Sequence, residues 1–348
     1  MFKYQSHIFS FLILLVSNSA HAATEQQKLE EGMVNPGYVD KPAWFKLSLM
    51  ELPEDVAEAS AAGKRVILYF YQDGCPYCEK LIHDNLGNED IAKKAKQHFD
   101  LIAINMWGDK DLIDMQGKHT IEKDFAYDMK VMYTPTMLFL DEQGKVALRI
   151  NGYYYPEKFN AALDYVSKKL ESSTSFLDYY KHSKTEKASG TLHIDPSYLQ
   201  PPYNLQQTLQ KNKRPLLVLF EEPNCKLCDE LHLDILKNQE AREAIKGFDV
   251  VLLNQRSKGY LVTPDGRMKK IHDWANDIKV QFSPSLLFFD TSGQEVFRTE
   301  AYLRTFHIAG AMTYVSSGKY KTQKSFQRYL QDVNKAMIDQ GIKVDLMK

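Results

Sequence analysis

The chain has 348 residues and a formal net charge of −1, a length that accommodates two domains of ordinary size. Apolar residues make up 44% and aromatic residues 12% of the total, enough to bury two cores. So balanced a charge leaves no basic face of the kind that holds nucleic acid or an anionic membrane, and no nucleic-acid partner is expected.

The first residues have the pattern of a secretory leader. Lys3 and His7 form a weakly basic start, Ile8 to Val16 is a nearly unbroken apolar run, and Ala20-His21-Ala22 supplies a small-residue cleavage site. The run is about nine residues, against the ~20 that cross a bilayer. No cysteine follows it, so no lipid anchor is expected. The reading is a signal peptide over 1–22, a mature chain from Ala23 that is not membrane-embedded, and a periplasmic location.

Only four cysteines occur, and all lie in two Cys-x-x-Cys pairs, Cys75/Cys78 and Cys225/Cys228. None remains for a long-range structural disulfide, although export would permit one.

In chain order, 66–71 is a short apolar run of strand type ahead of Gly74, and a helix should start at Cys75 because Pro76 suits the first helical position. A strand is expected over 99–105, a helix over 121–130, a strand–turn–strand over 137–140 and 146–150, and a closing helix over 156–170. The second half repeats this β-α-β-α-β-β-α order at 216–220, 225–236, 250–254, 271–278, 285–289, 295–299 and 305–315. A stretch rich in Ser, Lys and Thr at 181–190 reads as a linker between domains at 23–180 and 191–348. The 319–348 extension has helical spacing at Phe326, Tyr329, Leu330 and Val333. It should pack on the second domain, as Phe176 and Tyr179 should on the first.

Self-comparison makes the duplication explicit. Cys75 and Cys225 are 150 residues apart, as are Leu81 and Leu231, and Asp84 and Asp234. From Phe99 and Phe248 onward the offset is 149, and it then holds for Asn105 and Asn254, Gly144 and Gly293, and Tyr153 and Tyr302. One residue is gained or lost between Asp84 and Phe99.

A thiol attacks a disulfide only as thiolate, so a redox site must favour the negative charge. A strand–turn–Cys-x-x-Cys–helix sequence does so, because the first cysteine then sits at a helix N-terminus with free N–H groups and the positive end of the dipole. Cys75 and Cys225 are therefore the expected nucleophiles, and Cys78 and Cys228 the resolving thiols one turn further in. About 60 residues after each first cysteine come Thr134-Pro135 and Ser283-Pro284. A cis proline there would present the backbone of Thr134 or Ser283 beside the thiols, able to pair with an extended substrate segment.

From about Trp44 onward, both repeats resemble the thioredoxin superfamily. They are most similar to exported thioredoxin-like proteins of the SoxW type, through Val131 to Asp141, Val280 to Asp290, and the Gly152-Tyr153 or Ala301-Tyr302 that follows. The resemblance implies an α/β architecture of two tandem thioredoxin-like folds, each a central mixed β-sheet flanked by helices. It also implies dithiol–disulfide exchange with disulfide-containing exported proteins, no cofactor or metal, and a membrane thiol–disulfide electron donor.

Two departures stand out. Thioredoxin carries a buried Asp six residues before its first cysteine, where this chain has Tyr69 and Leu219. Among nearby carboxylates, Asp73, Glu79, Glu221, Glu222 and Asp229, none can be assigned as general base. Cys75-Pro76-Tyr77-Cys78 is glutaredoxin-like, whereas Cys225-Lys226-Leu227-Cys228 lacks the proline and adds a cation that should favour the thiolate.

Other readings stay open at this stage. The pairs could bind metal if both domains converged, and the second pair could be retained for packing alone. The activity could be oxidase or isomerase, or the fold a non-enzymatic thiol- or metal-binding scaffold. Tyr69, Tyr71 and Tyr77 could shape a groove or simply pack. His83, Trp107 and the Tyr153-Tyr154-Tyr155 cluster read as ordinary structural residues.

Overall fold

The computed structural model describes residues 40–181, 188–300 and 303–342. The expected leader at 1–22, most of the 181–190 linker and Tyr302 lie outside the described residues.

The first repeat runs α1 (Leu52–Ala61), β1 (Arg65–Tyr71), α2 (Pro76–Lys80), α3 (Glu89–His98), β2 (Phe99–Asn105), β3 (Asp111–Ile113), β4 (His119–Ile121), α4 (Glu122–Asp128), β5 (Thr136–Leu140), β6 (Val146–Asn151), α5 (Pro156–Ser167) and α6 (Phe176–Lys181). After it come β7 (Tyr203–Asn204), α7 (Leu205–Asn212), β8 (Leu216–Glu221), α8 (Lys226–Leu233), α9 (Gln239–Ile245), β9 (Asp249–Asn254), β10 (Tyr260–Val262), β11 (Met268–Lys270), α10 (Ile271–Asp277), β12 (Ser285–Phe289), β13 (Glu295–Thr299), α11 (Thr305–Ser316) and α12 (Phe326–Asp339). Among the described residues no helix is long and apolar enough to cross a membrane.

Each repeat builds the expected mixed four-stranded sheet, in the orders β2-β1-β5-β6 and β9-β8-β12-β13. β1 pairs with β2 in parallel and with β5 antiparallel, and β8 does the same with β9 and β12. Strand periodicity explains why the central strands are apolar throughout: alternate side chains point to opposite faces, and both faces are covered. Val66, Leu68 and Phe70 of β1 pack under α1 and α4 in one cluster, while Ile67 and Tyr69 belong to another. In β8 the split is Leu216, Val218 and Phe220 against Leu217 and Leu219.

The second cluster on the β1 face and the second on the β8 face are one and the same. A single core containing Cys75, Tyr77, Tyr133 and Tyr154 of the first repeat and Leu219, Phe282, Phe306 and Phe326 of the other runs across both halves. At ~1.5–3 kcal/mol for each large apolar side chain removed from water, this shared core is a strong coupling between the repeats.

Three features lie outside the sequence expectation: an opening helix in each repeat (α1, α7), a helix between the redox motif and the second strand (α3, α9), and the small hairpins β3–β4 and β10–β11. The apolar stripe of α1, Leu52, Val56 and Ala59, is too narrow to stand out among acidic neighbours. Asn88 and Asn238 cap α3 and α9 with their side chains and are 150 residues apart, so the residue that shifts the repeat offset falls within α3 or the turn after α9. The C-terminal helix α12 packs on the second repeat as expected, with Phe326 5.3 Å from Tyr314 of α11 and 4.7 Å from Phe297 of β13 between ring centroids. It also reaches the first repeat, where Arg328 lies 4.7 Å over the ring of Trp107. Trp107 is thus a contact between repeats and not merely local packing.

Candidate active site

Cys75 is the N-cap of α2 and Cys225 that of α8, both in extended backbone, and each Sγ accepts the N–H of the second cysteine at 3.1 Å. Pro76 occupies the first helical position of α2, where an N–H would have no partner in any case. Cys75 is joined to Cys78 and Cys225 to Cys228, with Cα–Cα separations of 5.2 Å in both. Thr134-Pro135 and Ser283-Pro284 are both cis. The Thr134 carbonyl oxygen lies 3.4 Å from Cys75 Sγ, which brings the two sequence-distant parts of the first site together. In the second repeat, Ser283 and Cys225 line a common cavity of about 30 Å³.

The carboxylates separate by repeat. Asp73 and Glu79 are exposed, and so is His83. Glu221 is fully buried at the end of β8, where its Oε1 lies 2.8 Å from Nε2 of His232 on α8. Glu222, also buried, accepts from Gln255 at 2.7 Å and from Arg256 at 2.9 Å. Asp229 accepts from Ser189 and lies 2.7 Å from His193.

The first cysteine of each pair is covered, Cys75 with 4% and Cys225 with 3% of its surface exposed. At each motif the other repeat packs close by. Over the first site, the Tyr77 hydroxyl accepts the Arg304 N–H at 3.0 Å and lies 3.3 Å from Nδ1 of His307, whose ring meets Tyr77 edge-on at 4.9 Å. Over the second, Tyr155 and Lys158 line the cavity with Cys225, Lys226 and Leu227, and Lys226 Nζ lies 6.0 Å from the Tyr155 ring. Tyr155 and Arg304 are 149 residues apart, as are Lys158 and His307. The cover is therefore reciprocal, as in a two-fold interface.

The same relation governs the flanks. Arg256 of the second repeat pairs with Asp178 on α6 at 2.6 Å, and its counterpart 149 residues earlier is Trp107, the residue that receives Arg328 of α12. Tyr153 and Tyr154 tie this arrangement to the segment that follows α2. Tyr153 donates to Asp84 at 2.8 Å, Asn85 donates to the Tyr154 carbonyl at 2.8 Å, and the Tyr154 ring lies 4.5 Å from Phe282. Tyr69 and Tyr77, 1% and 2% exposed, are packing residues and not the walls of an open groove. Sequence reasoning missed Lys158, His232, Arg304 and His307, and it left Glu221 among the carboxylates without a role. Mapping the 149-residue offset around each Cys-x-x-Cys would have paired Lys158 with His307, but nothing local indicated that they face the opposite site.

The thioredoxin-like domain family model matches residues 52–167 and again 202–316. Anterior gradient protein 3 of Mus musculus is 23% identical over 143 residues, 41% of this chain and 76% of that protein. Among solved structures, a thioredoxin-fold protein from Helicobacter pylori is 23% identical with a TM-score of 0.32, covering 39% of this chain and 96% of its own. A thioredoxin from Thermus thermophilus is 24% identical with a TM-score of 0.28, covering 34% and 85%. With both halves matched in tandem and the same mixed sheet in each, the chain belongs to the thioredoxin-like domain family.

Proposed function

We propose that this chain is a thiol–disulfide oxidoreductase that acts after export, in the periplasm, and reduces disulfides in client proteins. The observation that carries the reading is the cysteine pair at a helix N-terminus, present twice, with the Thr134 carbonyl 3.4 Å from Cys75 in the first copy. The thiolate of Cys75 or Cys225 attacks one sulfur of a client disulfide, forming a mixed disulfide and releasing the other client sulfur as thiolate. Cys78 or Cys228 then attacks the enzyme sulfur, closes the intramolecular bond and releases the second client thiolate. Two electrons pass to the client and the chain is left oxidised. Helix N–H groups stabilise the attacking thiolate. Re-reduction is assigned to a membrane thiol–disulfide electron donor.

The two lysines at Cys225 favour a second reading, oxidase or isomerase, because a stabilised thiolate makes the corresponding disulfide a stronger oxidant. Insulin reduction by Cys75→Ser, Cys225→Ser and the double variant tests the primary reading; an unchanged rate in the double variant overturns it. Trapping with Cys78→Ala and Cys228→Ala identifies what each site captures. Recovery of scrambled ribonuclease that depends on Cys225, without insulin reduction, selects the second reading. Stoichiometric metal after anaerobic purification, with neither activity, selects a binding scaffold.

A further inference from the structure

Lys158 stands in the first turn of α5 in the first repeat, yet it is only 9% exposed. An ammonium is unfavourable to bury without compensation. Here its Nζ lies 4.3 Å from the ring centre of Phe282, 4.8 Å from that of Tyr154 and 5.7 Å from that of Tyr180, a set of aromatic faces that favours a cation. Phe282 directly precedes Ser283-Pro284, and Lys158, Ser283 and Cys225 line the same 30 Å³ cavity. The other charged groups on that cavity are Lys226 and Glu222. Glu222 shares Arg256 with Asp178, at 2.9 and 2.6 Å, and Lys158 and Lys226 bring two cations to the cavity that Cys225 lines.

We infer that Lys158 is a positioning residue for the second site: its ammonium, supplied by the first repeat, stabilises the Cys225 thiolate, so that the redox poise of one domain is set from the other. The inference rests on Cys225 being the thiol that ionises, as in the proposed function. At the corresponding place in the first site stands His307, whose pKa burial lowers to about 4. It is neutral at neutral pH and offers Cys75 no such charge. Arg304, which also reaches the first site, does so through its backbone N–H, while its guanidinium pairs with Glu230 and Asp234 of its own repeat. Reciprocal packing thus sets a lysine ammonium at one site against a neutral imidazole at the other.

The test uses the full chain carrying Cys75→Ser and Cys78→Ser, so that only the second pair reports. Thiolate absorbance and alkylation against pH give the Cys225 midpoint, and equilibration with glutathione gives its potential. With Lys158→Met, which keeps most of the aliphatic stem, the midpoint should rise by about one unit. The glutathione equilibrium should move about threefold to tenfold toward the disulfide, ~15–30 mV more reducing. Lys158→Arg should hold the wild-type midpoint. In the mirror background, Cys225→Ser with Cys228→Ser, Lys158→Met should leave Cys75 unmoved. An unchanged Cys225 midpoint in Lys158→Met overturns the inference. So does an arginine variant that shifts as far as methionine, or a Cys75 midpoint that moves equally, since both mark a packing role. The titration needs no client, so absence of reductase activity would leave its outcome readable.

Discussion

Asn151 donates from Nδ2 to Oε2 of Glu300 at 3.4 Å, and the two residues hold the same position in the two repeats, 149 residues apart. Contact between equivalent positions is what a two-fold axis produces where it passes through an interface. One partner is neutral and the other acidic, so the axis relates backbones but not charges.

That asymmetry predicts a pH effect. Burial raises the Glu300 pKa above its ordinary value of 4.5, against the opposing pull of Arg298 and Arg149. The folded chain therefore holds this proton more tightly than the unfolded one. Its stabilising contribution is complete below 4.5 and is lost as pH rises through the folded value. Glu300→Gln should gain stability relative to wild type as pH increases across that range. Melting temperatures at several pH values check this, and a difference independent of pH would contradict it.

Occlusion of both cysteines predicts a size filter. In the reduced chain, a bulky maleimide should label Cys75 and Cys225 at least tenfold more slowly than it labels exposed thiols, while iodoacetamide is less impeded. Tyr154→Ala removes a ring 2% exposed that packs on Phe282 across the repeats, at a cost of about 2–4 kcal/mol. It should raise the maleimide rates at both sites. Peptide-level mass spectrometry reads the two cysteines separately, and wild-type rates that match an exposed thiol would rule the filter out.

Glu221 and His232 are a buried pair beneath the second site, with the His232 ring stacked on His193 at 5.3 Å. Glu221→Leu leaves the imidazole without its acceptor and should cost about 1–3 kcal/mol in urea unfolding. His232→Leu should cost a similar amount, and the double variant less than the two together, since each single change strands the other partner. Simple additivity would show that the pair is not coupled.

Gly310 sits where α11 meets α12, and a Cβ there would come within 2.5 Å of Leu330 Cδ2. Gly310→Val should cost about 1–3 kcal/mol from overpacking. Gly310→Ala should be closer to neutral, because the gain in helix propensity of about 1 kcal/mol offsets part of the clash. Thermal unfolding that ranks alanine below valine would place the contact elsewhere.

Much of this architecture is legible in the sequence. The strand–turn–cysteine context and the X-Pro partner fall where local spacing put them, because helix starts and apolar strands are written in neighbouring residues. The boundaries of α4 and α10 came out within a few residues. What local spacing could not convey is which surface covers which. Neighbouring residues leave Tyr77 open to either groove or packing, and what decides is Arg304 and His307, more than two hundred positions away. Glu221 looked like any carboxylate, since burial of a strand's last residue depends on the helix laid over it.

The joined repeats also bear on how the two sites came to differ. Two separate identical copies paired by the same two-fold contact would have to change both sites whenever they changed one. A histidine replacing the lysine over Cys225 would then replace it everywhere. Carried on a single chain, positions 158 and 307 are inherited independently, and an aromatic-caged lysine can persist beside a buried neutral imidazole. A single chain lets equivalent positions of a two-fold pairing carry different side chains.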